Sequence, residues 1–199
     1  MKVLITVGPT AVPIDSVRVI TNLSSGKLGK LLFEELKNRD AEVDLWLSEF
    51  VCWQGMERVG RFLFYDDLRT MIEGCKESYD WVLHCAAVSD FGVAPFAGKL
   101  NSNKDITLSL IRLEKLWPKL LDRTSRLVLF KLEDTLSESK REARQLLNKD
   151  NRIRIVIANT GLRSNYQSAI ITRRGEYGPF YSREALAKEL VSRVIEWED

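Results

Sequence analysis

The residues best suited to chemistry fall in one run, Thr21-Asn22-Leu23-Ser24-Ser25-Gly26-Lys27-Leu28-Gly29. It follows an apolar run, Val3 to Val7, and an irregular segment containing Gly8, Pro9 and Pro13. It opens a stretch of helical period in which Leu28, Leu31, Leu32 and Leu36 share one face. A strand, a loop and Ser-Ser-Gly at a helix start make a seat for an anion. The first helical turn has unpaired N–H groups, and its dipole favours negative charge. Ser24 or Ser25 can cap the helix, Gly26 allows a phosphate close to the backbone, and Lys27 and Lys30 add positive charge. The competing reading of this run alone is an ordinary capped helix after a loop.

Other ligand-ready residues stand at the ends of apolar runs. Ala86-Ala87-Val88-Ser89-Asp90-Phe91 closes the run Tyr79 to Cys85, and its small residues would let a ligand lie against backbone. Asp90 could hold a hydroxyl or a metal-bound water, or simply form a turn. Lys99 is the prominent cation of the polar segment from Gly92 to Lys104. Phe130-Lys131-Leu132-Glu133 and Asn159 end two further runs. Asn22 and Asn159 are uncharged amides able to grip a carboxylate or phosphate. Together these residues point to a phosphorylated ligand or a nucleotide.

Several standard sites are absent. There is no GxxxxGK[ST] loop and no GxGxxG after the first strand, where Gly8-Pro9-Thr10 stands instead. The only histidine, His84, lies inside an apolar run and reads as a packed core residue. Zinc and Ser-His-Asp chemistry therefore lack support. Cys52, Cys75 and Cys85 fit neither a disulfide framework nor a CxxC metal site.

The elements that must position these residues follow from periodicity. Strands are expected at Lys2–Val7, Glu42–Leu47, Phe62–Tyr65, Tyr79–Cys85, Ile106–Ile111, Arg126–Phe130 and Ile153–Ala158. Helices are expected from Ser25 to Asn38, Asp66 to Lys76, Glu114 to Leu121, Thr135 to Asn148, and after Ser182. Residues 48–60 are ambiguous. Ser168–Thr172 and Gly178–Tyr181 flank Gly175 as a hairpin. The pattern predicts an α/β, Rossmann-like fold: a mostly parallel sheet with helices on both faces and an antiparallel edge hairpin. One domain over residues 1–199 is the economical organisation. A net charge of +2, with 45% hydrophobic and 29% charged residues, argues against a nucleic-acid partner. No apolar run approaches membrane-spanning length, and the expected location is the cytoplasm.

The ordered motifs Ile5-Thr6-Val7-Gly8-Pro9-Thr10, Pro13-Ile14-Asp15-Ser16-Val17-Arg18, Ile20 to Gly29, Ala86 to Phe91, Lys99-Leu100, Phe130 to Glu133 and Ile157-Ala158-Asn159 resemble the phosphopantothenoylcysteine synthetases, in their stand-alone form. That resemblance implies a ligase of coenzyme A biosynthesis. It would join 4′-phosphopantothenate to L-cysteine through an acyl nucleotidylate, with CTP or ATP as co-substrate, Mg²⁺ on the triphosphate and a homodimeric assembly. It further implies that Lys99 and Asn22 are catalytic. Gly8, Thr10, Ser24, Ser25, Gly26, Ala86, Ala87, Val88, Asp90 and Phe130 would bind nucleotide, and Asn22 and Asn159 substrate. The chain departs from that pattern at Pro9, where the family has a second glycine, and in shortened segments around 48–64 and 92–105. Those departures motivate an alternative, a non-catalytic nucleotide- or phosphopantothenate-binding module. An NAD(P)-dependent reductase is a third reading, opposed by the missing glycine fingerprint.

Overall fold

The computed structural model describes residues 1–53, 59–94, 96–161 and 165–198. In chain order the elements are β1 (Lys2–Pro9), β2 (Ala11–Pro13), β3 (Val19–Thr21), α1 (Lys27–Lys37), β4 (Glu42–Ser48) and β5 (Val59–Phe62). Next come α2 (Tyr65–Gly74), β6 (Trp81–Ala87), β7 (Phe91–Gly92), β8 (Ile111–Arg112), α3 (Trp117–Leu120) and β9 (Leu127–Leu132). The chain ends with α4 (Leu136–Leu147), β10 (Ile153–Thr160), β11 (Gln167–Thr172), β12 (Glu176–Phe180) and α5 (Arg183–Ile195).

Eight strands form the main sheet in the order β12-β11-β10-β9-β6-β1-β4-β5. The six from β5 to β10 pair in parallel, and β11 and β12 add an antiparallel hairpin at one edge. This is the expected α/β architecture. Counting only the parallel strands along the chain, the spatial order is 3-2-1-4-5-6, the doubly wound arrangement of dinucleotide-binding folds. Chain direction across the sheet reverses between β1 and β6.

Alternation along the strands assigns the two layers. Val3, Ile5 and Val7 of β1, with Trp81 and Leu83 of β6, pack with Leu32 and Leu36 of α1 and with Leu186, Leu190 and Val194 of α5. Leu4, Val82, Leu127 and Leu129 point to the opposite face, against Leu68 and Ile72 of α2, Leu120 of α3, and Ala143 and Leu147 of α4. Strands buried on both faces read as continuous apolar runs, which is why the central ones were visible in the sequence.

Local chemistry moved several boundaries. Asp67 accepts backbone N–H groups from Leu63 (3.0 Å) and Phe64 (2.8 Å), so α2 begins at Tyr65 and the strand expected at 62–65 lies earlier, at β5. Of the alternating run 106–111 only Ile111 enters a strand, the two-residue β8 paired with β7, because the rest of that run has no neighbouring strand to pair with among the described residues. The reverse error concerns residues 11–21. Their prolines suggested an irregular loop, yet β2 and β3 pair as an antiparallel hairpin, Ala11 opposite Thr21. Part of the ambiguous 48–60 region lies outside the described residues; within it Val51 is core and Phe50 exposed. The expected caps of α4 and α5 are present, Thr135 accepting from the Glu138 N–H and Ser182 from the Ala185 N–H.

His84 is buried in β6, its Nδ1 2.7 Å from Thr6 Oγ1, which also accepts from the Ala86 N–H. A neutral ring satisfies this set, and burial holds the His84 pKa down at about 4 from 6.5. The unfolded chain therefore binds a proton near pH 6.5 that the folded chain refuses until about pH 4. Stability linked to His84 is full above pH 6.5 and declines as pH falls to about 4, by on the order of 3 kcal/mol. Asp15 and Asp150, both lowered to about 2 from 3.8, lose their linked stability below that window. Urea midpoints are expected to drop between pH 7 and 4.5 in the wild type and to stay nearly level in His84→Gln; equal drops would remove His84 as the cause.

Candidate functional site

The carboxyl ends of β1 and β6 lie side by side at the reversal point, paired as far as Pro9 and Ala87, and neighbouring side chains bond the backbone that leaves them. Asn22, just beyond β3, donates from Nδ2 to the carbonyls of Ala87 (3.0 Å) and Val88 (3.1 Å). Thr10 Oγ1 accepts from the Ser89 N–H (2.8 Å) and lies 3.0 Å from Ser89 Oγ. Thr21 Oγ1 donates to the Thr10 carbonyl (2.9 Å), and Ser48 Oγ to the Pro9 carbonyl (2.6 Å). The β2–β3 hairpin thus returns Asn22 to the end of β6. Two carbonyl partners fix the orientation of its amide and occupy the nitrogen, leaving Oδ1 for a ligand. Asn22 is therefore suited to accept from an amide N–H, not to donate to a carboxylate as the sequence suggested.

Beside this point an open cleft of about 470 Å³ is lined by Leu23 to Gly29, Cys85 and Arg183. Gly26 precedes α1 with φ +72°, and neither Ser24 nor Ser25 forms the expected side-chain cap. Ser25 Oγ makes only a 3.4 Å contact with the Lys27 N–H. Space is not Gly26's contribution to a ligand, because a Cβ there would meet Val51 and Val7 at 3.1 Å. Its left-handed turn instead leaves the first-turn N–H groups of α1 uncapped by side chains. Gly8, at φ +91°, likewise serves packing: a Cβ would come within 2.6 Å of Ser48 Cβ. Cys85 lines the cleft as an inert thiol, its pKa pushed up to about 12 by burial.

The charges differ from the expectation. Lys27 pairs with Glu184 (2.9 Å) and Lys30 with Glu34 (3.7 Å), so neither is a spare cation. Arg183, at the start of α5, was not anticipated, since an arginine after a cap reads as helix surface. The remaining expected site residues scatter. Asp90 is exposed and paired with Lys115. Asn159, at the end of β10, accepts from the Tyr166 hydroxyl at 3.2 Å. Phe130 packs against the core layer that contains α1 and α5. Lys99 is exposed.

The segment around Lys99 is nonetheless anchored. The buried Asp15 carboxylate accepts from the N–H groups of Val17 (2.9 Å), Arg18 (2.8 Å) and Leu100 (3.0 Å) and pairs with the Arg18 guanidinium. The Leu100 N–H bond is the largest of the effects that lower its pKa to about 2. Ser16 donates to the Gly98 carbonyl (3.1 Å) and Phe96 to that of Ile14 (2.9 Å). The turn between β2 and β3 thus holds residues 96–100.

A doubly wound sheet with a helix start beside its reversal point defines an α/β domain of the Rossmann-like class. The chain belongs to the DFP family, described as the DNA/pantothenate metabolism flavoprotein C-terminal domain, which matches residues 1–197. It is 33% identical over 171 residues to the coenzyme A biosynthesis bifunctional protein CoaBC of Methanocaldococcus jannaschii, covering 79% of this chain and 40% of that protein. Against the CoaBC of Thermococcus kodakarensis it is 36% identical over 148 residues, 70% of this chain and 36% of that one. The chain therefore spans about two fifths of the curated relatives it matches. In fold it is similar to the DNA/pantothenate metabolism flavoprotein from Streptococcus pneumoniae, with TM-score 0.84, 23% identity and all of both chains covered. It also resembles a Cab2 mutant complexed with phosphopantothenate-cysteine, with TM-score 0.75, 19% identity, and 98% and 87% of the two chains covered.

The family match corrects the assignment to the stand-alone synthetases, because the matching family is described as a flavoprotein. The ligase activity and its acyl-nucleotidylate route fall with that assignment. So do CTP, ATP and Mg²⁺, the nucleoside triphosphate partner, the ligase-type dimer and the non-catalytic alternative. None of these descriptions carries them. The physical reason for the misreading is that a seat for phosphate at a helix start does not specify the reaction performed beside it. A flavin would bring a phosphate and a planar three-ring system. The hydroxyls, helix N–H groups and Arg183 fit the phosphate, but among the described residues no aromatic side chain lines the cleft. The lining residues therefore do not fit the ring.

Replacing Asp15 by Asn removes the charge that gathers four donors while leaving the volume unchanged. Amide exchange at Val17, Arg18 and Leu100 is expected to accelerate by roughly tenfold or more, with the central strands unaffected. Unchanged protection at Leu100 would remove Asp15 as the anchor.

Proposed function

We propose that this chain is the part of a coenzyme A-biosynthesis enzyme that binds the phosphopantothenate–cysteine conjugate. The ligand's phosphate sits at the start of α1, among Ser24, Ser25 and the first-turn N–H groups. Its amide chain runs past the reversal point, where Asn22 Oδ1 accepts an N–H. The observation that carries this reading is the adjacency of two features: an uncapped helix start opening on a cleft of about 470 Å³, and an asparagine whose nitrogen is committed to the Ala87 and Val88 carbonyls. Support comes from the family match and from the conjugate named in a structure of the same fold.

In this reading Gly8, Thr10, Ala86, Ala87 and Val88 shape the crevice through their backbone, and Lys99 approaches the ligand from the segment anchored by Asp15. We read residues 1–199 as one domain, a reading supported by the strands of one sheet that run from Lys2 to Phe180. No helix among the described residues is long and apolar enough to cross a membrane. We assign the protein to the cytoplasm, where its three free cysteines would stay reduced.

Calorimetric titration with the synthetic phosphopantothenate–cysteine conjugate and with its dephosphorylated form tests the proposal. The phosphate is expected to contribute roughly thirtyfold in affinity, equivalent to about 2 kcal/mol. Equal affinity for the two forms, or tight binding of flavin mononucleotide that the conjugate cannot displace, would overturn it.

A further inference from the structure

Among the cations of the cleft, Arg183 is the one without a carboxylate. Lys27 is tied to Glu184 at 2.9 Å, whereas Arg183 forms no ion pair among the described residues. Its guanidinium lies 4.3 Å from the centre of the Tyr166 ring. Stacking on an aromatic face holds the planar group in one orientation without consuming its N–H donors, which form the fork suited to a phosphate. Tyr166 is itself fixed, since its hydroxyl donates to Asn159 Oδ1 at 3.2 Å. Asn159 is held in turn by its own N–H, which donates to Ser139 Oγ at 3.0 Å, and Ser139 Oγ donates to the Lys131 carbonyl at 2.9 Å. A chain of contacts thus runs from the end of β10 to the first residue of α5, and Arg183 at its end lines the same cleft as Ser24, Ser25 and Gly26.

We propose that Arg183 recognises the phosphate of the ligand in this cleft and that Tyr166, locked by Asn159, is the positioning residue that aims it. The inference rests on the phosphate seat proposed above and adds a contact from the opposite wall. It also gives Asn159 a different part from the one its residue type suggested, because its side-chain oxygen is already occupied by Tyr166.

Titrations of the full chain with the conjugate and its dephosphorylated form separate the possibilities. Arg183→Ala is expected to weaken binding of the phosphorylated form by roughly tenfold or more and to leave the dephosphorylated form within about twofold. Arg183→Lys keeps the charge but loses the fork and should recover only part of the loss. Tyr166→Phe keeps the stacking face but loses the lock to Asn159 and should lose part of the phosphate preference; Tyr166→Leu should follow Arg183→Ala. If Tyr166→Leu does not fold, the two Arg183 variants decide alone. A wild type that prefers the phosphorylated form, beside an Arg183→Ala that keeps the whole preference, overturns this inference and leaves the phosphate seat standing. Equal loss for both ligands overturns it too, since that marks a structural role. A wild type with no phosphate preference overturns the seat itself.

Discussion

The structure depends on how the backbone is satisfied where β1 and β6 part. Parallel strands buried on both faces exhaust their backbone hydrogen bonds within the sheet, and β1 and β6 stay paired to their last residues, Pro9 and Ala87, before the chain leaves the ladder. There the side chains of Asn22, Thr10, Ser48 and Thr21 bond the emerging backbone groups. The same bonds hold the β2–β3 hairpin and the Ala86–Ser89 turn together at the carboxyl ends of β1 and β6.

Electrostatics at that neighbourhood is arranged by pairing more than by abundance. Two lysines beside the helix start are neutralised by glutamates, and a single arginine is steered by an aromatic ring. Exposed lysine–glutamate pairs stabilise little but remove net charge from a surface. The start of α1 thus presents backbone N–H groups, with one guanidinium oriented beside it on the Tyr166 ring. Asp15 does related work at a distance, gathering four donors to hold the segment that carries Lys99 against the hairpin.

Most of the architecture was legible in the sequence. The apolar runs of β1, β4, β6, β9 and β10, the helical stripe of α1 and the serine and threonine caps of α4 and α5 all mark elements that local physics largely decides. What misled was local too. The prolines around residues 9–13 hid a hairpin, since proline is tolerated where its missing N–H has no partner to meet. The alternation of 106–111 looked like a strand, but among the described residues only its last residue, Ile111, has a strand to pair with. The order of motifs pointed to coenzyme A biosynthesis, as the relatives' name does, but the reaction inferred with it was overturned by the family's description as a flavoprotein. A helix start suited to phosphate is common to many chemistries, so motif order could not name the reaction.

The sequence by itself determined the layers of this protein: which runs become buried strands, which helices cover them, and that the run from Thr21 to Gly29 would open a helix after the first strand. Only the tertiary structure decided which distant residues lie beside that helix start. Arg183 and Tyr166 stand far along the chain from Ser24, and Asp15 bonds to Leu100 across a long separation. Asn22 was visible as an amide, but the commitment of its nitrogen to two carbonyls of another strand was not. Periodicity records which face of an element is apolar, because burial acts on each residue locally. The partner of a polar group depends on which elements the winding of the sheet makes neighbours, and that information resides in the fold as a whole.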